Sequence, residues 1–194
     1  MKNKLICLVG MCGAGKSEVA EHLKSKKEFG FVRFGQITLD KVCEMGKEPT
    51  EALEREIREK MREDYGMAAF AKLNILKFDK LLLKGDVIGD GLYSWEEYIV
   101  LKEKYSDQLV VIATYAPPKM RYKRLEGRSE RHGEDDDKRY RSFSKAEAES
   151  RDKSEIENLH KAGPIAMAAF TVKNTTTLDD LKRQVDDIFK EIYG

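Results

Sequence analysis

Proline occurs four times in 194 residues, tryptophan once and cysteine three times, and no segment is dominated by one residue type. With so little proline and no low-complexity stretch there is no candidate linker, so a single domain over residues 1–194 is expected. Cys7, Cys12 and Cys43 are odd in number and lack C-x-x-C spacing, which excludes a disulfide framework and a cysteine-held zinc site. Net charge is nearly absent: 36 Lys+Arg stand against 35 Asp+Glu, leaving +1. A disordered chain combines low hydrophobicity with strong net charge, and a groove that tracks a nucleic-acid backbone needs a surface of one sign; neither fits. No run reaches the roughly 18 apolar residues of a membrane span, and residues 5–10 are too short an apolar run for a secretory signal. The expectation is a soluble, cytoplasmic protein, monomer or homodimer, with no membrane or nucleic-acid partner.

What the chain does have is 41% hydrophobic residues in short runs that alternate with amphipathic stretches, the pattern of an α/β fold with a parallel sheet. At this length a chain buries about 70% of its unfolded surface, enough to fold without staples. Residues 5–9 predict a buried strand, 18–26 the helix after it, and 31–34 a weak second strand. A short helix over 37–45 closes at Gly46, Pro49 and Thr50 open another to Tyr65, and 67–83 carries Phe70, Leu73, Leu76 and Leu83 near helical spacing. The apolar positions of 51–83 read as core. Residues 86–90 predict a strand, Ser94 an N-cap, 109–113 the clearest strand, and Pro117-Pro118 the start of a helix. Residues 119–153 hold 12 Lys+Arg and 9 Asp+Glu, the most charged stretch. A last strand over 170–172 precedes Thr177 as N-cap and a helix whose face is marked by Leu181, Val185, Ile188 and Ile192.

Residues 10–17 read Gly-Met-Cys-Gly-Ala-Gly-Lys-Ser, which satisfies G-x-x-x-x-G-K-[ST] directly after an apolar strand and before a helix. Glycines allow the backbone to wrap an anion so that successive N–H groups and the helix N-terminus face it. Gly10, Cys12, Gly13, Ala14, Gly15, Lys16, Ser17 and Glu18 are therefore the candidate nucleotide-phosphate contacts. Lys16 is placed to meet the β- and γ-phosphates and the Ser17 hydroxyl to ligate Mg²⁺. A glycine-rich turn spells this motif by chance in on the order of one chain in a hundred, before the strand and helix around it are counted. Cys12 reads as a small filler residue in preference to a redox switch.

Asp90 ends an apolar run, where a carboxylate can help hold Mg²⁺ or polarise an acceptor hydroxyl. Residues 86–89 also spell D-x-x-G, yet no N-K-x-D follows anywhere, which argues against a GTPase. Arg121, Arg124 and Arg128 are spaced to share one helix face; singly each reads as solvated, and as a cluster they read as donors that close over a transferring phosphoryl group. His22, His132 and His160 show no metal-ligand spacing.

These residues resemble the nucleoside-monophosphate-kinase branch of P-loop proteins, and more narrowly the adenylate-kinase-related, dephospho-CoA-kinase-like proteins. The likeness is carried by residues 10–19, Phe34-Gly35, Glu48-Pro49-Thr50, Asp90-Gly91, residues 94–97, Arg124-Leu125 with Arg128, Arg151-Asp152 with Glu155, residues 163–168, and Asn174 with 178–181. It implies a P-loop NTPase fold with a five-stranded parallel sheet flanked by helices, an acceptor-binding helical region at about 35–84 and a helical lid at about 127–160. It also implies ATP with Mg²⁺ as donor, Arg128 and Arg151 as lid arginines, and Asn174 in the loop near the adenine. The resulting expectation is an ATP-dependent phosphotransferase acting on a nucleotide-like acceptor, a nucleoside monophosphate or dephospho-CoA. Lys16, Asp90, Arg124, Arg128 and Arg151 are its candidate catalytic residues, and Ser17 and Asp90 its metal ligands. Such kinases carry Asp-Gly-x-Pro-Arg after the third strand, whereas this chain reads Asp90-Gly91-Leu92-Tyr93-Ser94. Gln36 stands where this family tends to have an acid, and Ala169 where it has an Asp. The missing arginine motivates the alternative of an ATP-binding switch or scaffold with little turnover, and a kinase of nucleic-acid ends is a third reading that the alternating charge disfavours.

Overall fold

A computed structural model describes residues 2–128 and 142–194. Five parallel strands form one sheet: β1 (Leu5–Val9), β2 (Gly30–Arg33), β3 (Val87–Asp90), β4 (Leu109–Tyr115) and β5 (Phe170–Lys173), in the order β2-β3-β1-β4-β5. Among the described residues nine α-helices surround it: α1 (Lys16–Lys24), α2 (Gln36–Glu44), α3 (Glu51–Tyr65), α4 (Ala69–Leu82), α5 (Trp95–Tyr105), α6 (Pro118–Glu126), α7 (Lys145–Glu157), α8 (Ala162–Ala166) and α9 (Leu178–Tyr193). None of them is long and apolar enough to cross a membrane.

The strands are apolar on both faces because helices cover both. Alternation sends Leu5, Cys7 and Val9 to one side, with Phe70 and Phe78 of α4 and Tyr98 and Leu101 of α5. It sends Ile6 and Leu8 to the other, with Val19 and Leu23 of α1 and Leu181 and Val185 of α9. Register then sets the site. Leu8 pairs with Asp90 across β1 and β3, and Val9 with Ala113 across β1 and β4. The loop after β1 therefore emerges beside the end of β3, at the point where successive strands diverge to opposite sides and leave a crevice.

Helix starts follow their caps. Thr50, Ser94 and Thr177 each accept a hydrogen bond from the backbone N–H three residues on. Two expectations need correction. The first helix begins at Lys16, not residue 18, because Gly15 in the left-handed region is its N-cap. The buried stripe of α4 is Phe70, Asn74 and Phe78, while Leu76 and Leu83 are exposed. Asn74 is tolerated there because its amide donates to the carbonyls of Phe70 and Phe34. Within the charged segment, α7 forms behind a capping box in which Ser144 and Glu147 satisfy each other's backbone. Of the lid at 127–160, residues 129–141, His132 included, lie outside the described residues.

Candidate functional site

The loop after β1 is held in place from three directions. Gly10 has φ +146° and lies so close to β4 that a Cβ there would meet the Thr114 carbonyl at 2.4 Å; Gly15 has φ +102° and lies against the Asn174 amide, which a Cβ would approach to 2.2 Å. Both positions accept only glycine. Asn174, just beyond β5, donates from Nδ2 to the Ala14 carbonyl (2.9 Å) and accepts the Arg124 guanidinium on its own carbonyl (3.0 Å) and Oδ1 (3.2 Å). From α6, Arg121 donates to the Cys12 carbonyl (3.2 Å) and the Ala116 carbonyl (3.0 Å) while its fork grips both oxygens of Asp152 on α7 at 2.8 and 2.5 Å. Cys12 is half-buried, and its backbone oxygen anchors the loop. The expected three-arginine face thus divides: Arg121 is buried and bound to Asp152, whereas Arg124 and Arg128 border the open space.

The first turn of α1 has no side-chain cap; Glu18 and Val19 donate to the Gly15 carbonyl, which leaves the N–H groups of Lys16 and Ser17 as those without an intrahelical acceptor. Lys16 folds over the loop and donates to the carbonyls of Gly10 (2.8 Å) and Met11 (3.4 Å). Burial, reinforced by the charge of Lys161, pushes its ammonium down to about 8. That is a cation short of an anion.

A single cleft of about 1370 Å³ runs from this loop past Asp90 and Tyr93 to α3. Its lining brings together Cys12, Gly13, Gly15, Lys16, Ser17, Glu18, Asp90, Arg124, Arg128, Arg151 and Asn174. Gly10 and Ala14 support the loop from below through their carbonyls. Asp90 ends β3 half-buried, 3.8 Å from the Arg33 guanidinium.

Sequence reasoning did not single out Lys161, Arg33 or Arg62 and treated Tyr93 only as a departure; all four line the cleft. Lys161 is 1% exposed. Its ammonium donates to Glu155 Oε2 (2.8 Å) and lies 4.5 Å above the Tyr93 ring. Arg151 donates to the other oxygen of Glu155 at 3.1 Å. Burial works to raise the Glu155 carboxyl, yet Lys161 and Arg151 outweigh it and hold it at about 2. Arg151 and Glu155 are spaced to meet on one helix face, but nothing in the spacing signals Lys161, which by itself reads as a solvated charge. Beneath Tyr93, Glu97 is fully buried, with Oε2 accepting from the backbone of Tyr93 (2.9 Å) and Ser94 (3.4 Å). Its Oε1 has no partner among the described residues, and burial raises the carboxyl to about 7.

A sequence model of the family described as AAA domain matches residues 6–160. The chain belongs to that family. This AAA-domain chain is also a member of the UPF0200 proteins: one from Sulfurisphaera tokodaii is 30% identical over 189 residues, which cover 97% of each chain. Among solved structures, a gluconokinase from Sinorhizobium meliloti shares the fold at a TM-score of 0.57 with 13% identity, covering 99% of this chain and 97% of its own. A shikimate kinase from Acinetobacter baumannii, solved with shikimate, does so at 0.55 with 16% identity, covering 98% and 93%. The fold of the AAA-domain chain is that of P-loop kinases, and such a fold implies nucleotide binding.

Proposed function

We propose that the cleft binds ATP with Mg²⁺ and transfers the γ-phosphoryl group to a nucleotide-like small acceptor, a nucleoside monophosphate or dephospho-CoA. The observation that carries this reading is the continuity of one cleft from the uncapped start of α1 and Lys16 to Asp90 and the wall beyond it. The donor set fits a polyphosphate: Lys16, Arg124, Arg128 and Arg151 converge on the same space, and Arg forks match phosphate oxygens. Ser17 and Asp90 would hold the metal. Among the described residues no group of three or more His, Cys, Asp or Glu could hold a metal ion, which suits a Mg²⁺ that takes most of its ligands from phosphates and water.

In this mechanism the metal, when bound, neutralises charge on the phosphates. Lys16 leaves the loop carbonyls for phosphate oxygens, and the loop amides hold the chain of phosphates in line. Arg124, Arg128 and Arg151 compensate the charge that spreads over the equatorial oxygens. Asp90 orients the acceptor or the metal at the end of β3. Residues 142–160, the described part of the expected lid, and 35–84, the acceptor region, border the cleft and limit the access of water to it. Catalysis is then positioning and electrostatics.

The test is incubation with Mg²⁺ and γ-labelled ATP against a panel of ribo- and deoxyribonucleoside monophosphates and dephospho-CoA, with Lys16→Ala beside the wild type. Labelled product that vanishes in the variant is expected; product retained in Lys16→Ala overturns the mechanism. One observation favours the alternative of an ATP-binding switch: Ser94, at the place of the kinases' arginine, is fully buried as the N-cap of α5 and offers nothing to a ligand. ATP binding without any labelled product from the panel is the result that reading expects.

A further inference from the structure

In the wall opposite the phosphate loop two cations, Lys161 and Arg151, share one carboxylate. Lys161 is almost wholly buried yet lines the cleft, and a buried ammonium persists only where an anion compensates it. Its hydrogen-bonding partner is Glu155, whose carboxylate is shared with Arg151. Asp90 at the end of β3 lies beside Arg33, and Glu97 beneath Tyr93 is held by the backbone of Tyr93 and Ser94. The bond to Glu155 uses one of the three donors on the Lys161 ammonium, and the Tyr93 ring, 4.5 Å away, fixes the side chain over the end of the β3 segment. Position 94 is closed to this task because Ser94 is buried in its capping box.

We propose that Lys161, braced by Glu155 and laid on the ring of Tyr93, holds the anionic group of the acceptor, and that the acceptor presents a phosphate monoester to it. This rests on the kinase reading and names the residue that fills the role left open by the missing arginine. Arriving phosphate oxygens compete with Glu155 for the same ammonium, so the carboxylate serves as a resident counterion that yields to the ligand. A lysine that merely tied the end of α7 to Tyr93 would have no such competition.

The experiment uses the full chain saturated with Mg²⁺ and a non-hydrolysable ATP analogue, so that the donor positions are filled, and titrates inorganic phosphate calorimetrically, with acetate as a control. Lys161→Met is expected to weaken phosphate at least tenfold; Lys161→Arg is expected to retain phosphate within threefold. Unchanged phosphate affinity in Lys161→Met, loss of phosphate binding in Lys161→Arg, or no phosphate binding by the wild type overturns the proposal. Should Lys161→Met fail to fold, Lys161→Gln titrated in the same way decides. Failure of the analogue to bind the wild type is the separate result that removes the kinase reading itself.

Discussion

On one side of the cleft, residues 10–18 present backbone amides and one lysine, held by glycines that nothing else can replace and by the Asn174 and Arg121 braces. On the other, Arg151, Glu155, Lys161 and Tyr93 come from three separate segments and present side chains that are already engaged with one another. The first wall is preorganised by covalent geometry: its dipoles cannot reorient without breaking the loop. The second is preorganised by charge balance, and its partners are exchangeable. A polyphosphate suits the first, because every nucleoside triphosphate offers the same oxygens. Discrimination among acceptors suits the second, where a single substitution changes the balance.

That contrast can be broken at its strongest joint. Arg121→Met removes the buried fork that ties the loop to α7 and leaves Asp152 uncompensated, which should cost about 3–5 kcal/mol in denaturant unfolding. Lys16→Ala acts on function alone: transfer should fall on the order of 10²–10³-fold or more with the thermal melt unmoved. Glu97→Gln probes the ground under the second wall. Its carboxyl rises from 4.5 to about 7 in the folded chain, so the folded state holds a proton that the unfolded state has released; the stability this gives is complete below about pH 4.5 and lost as pH rises through 7. Glu97→Gln should therefore raise the melting temperature at pH 8 and leave it nearly unchanged at pH 4.5. Because Lys16 sits at about 8, ATP-analogue binding at pH 8 should take up a proton, read as an enthalpy that depends on buffer ionisation heat, and affinity should decline above pH 8. The smallest effect belongs to the exposed pair Lys60–Asp64, where solvent screening means that Lys60→Ala should leave the melting temperature nearly unchanged.

The two walls also differ in how far they could be read from residues alone. The loop, the strand before it and Asp90 are legible because their geometry is local: glycines, an apolar run and a lysine at fixed spacing specify the phosphate cradle without reference to anything distant. The helices capped by Thr50, Ser94 and Thr177 are legible for the same reason. The start of α7 was present as Ser144-x-x-Glu147, a capping signature obscured by the charge density of the surrounding segment. The stripe of α4 misled because Asn74 occupies a core position made acceptable by the carbonyls of Phe70, one turn back, and of Phe34, 40 residues away. Lys161 is the extreme case. Its burial depends on Glu155, Tyr93 and the end of β3 meeting in space, and a charged residue six positions after an acid gives no local sign of that.

One consequence follows from how the chain leaves the sheet after β2. Phe34 is fully buried, the chain returns to the core at Ala69 and Phe70, and Asn74 ties the two ends together. Between those anchors α2 and α3 pack on each other and add no strand to the sheet. Residues 36–66 therefore join the core through side chains such as Ile37, Ile57 and Met61 and not through strand pairing, so the shape of the cleft's far end can vary with those side chains while strand register and the loop at 10–17 are set elsewhere.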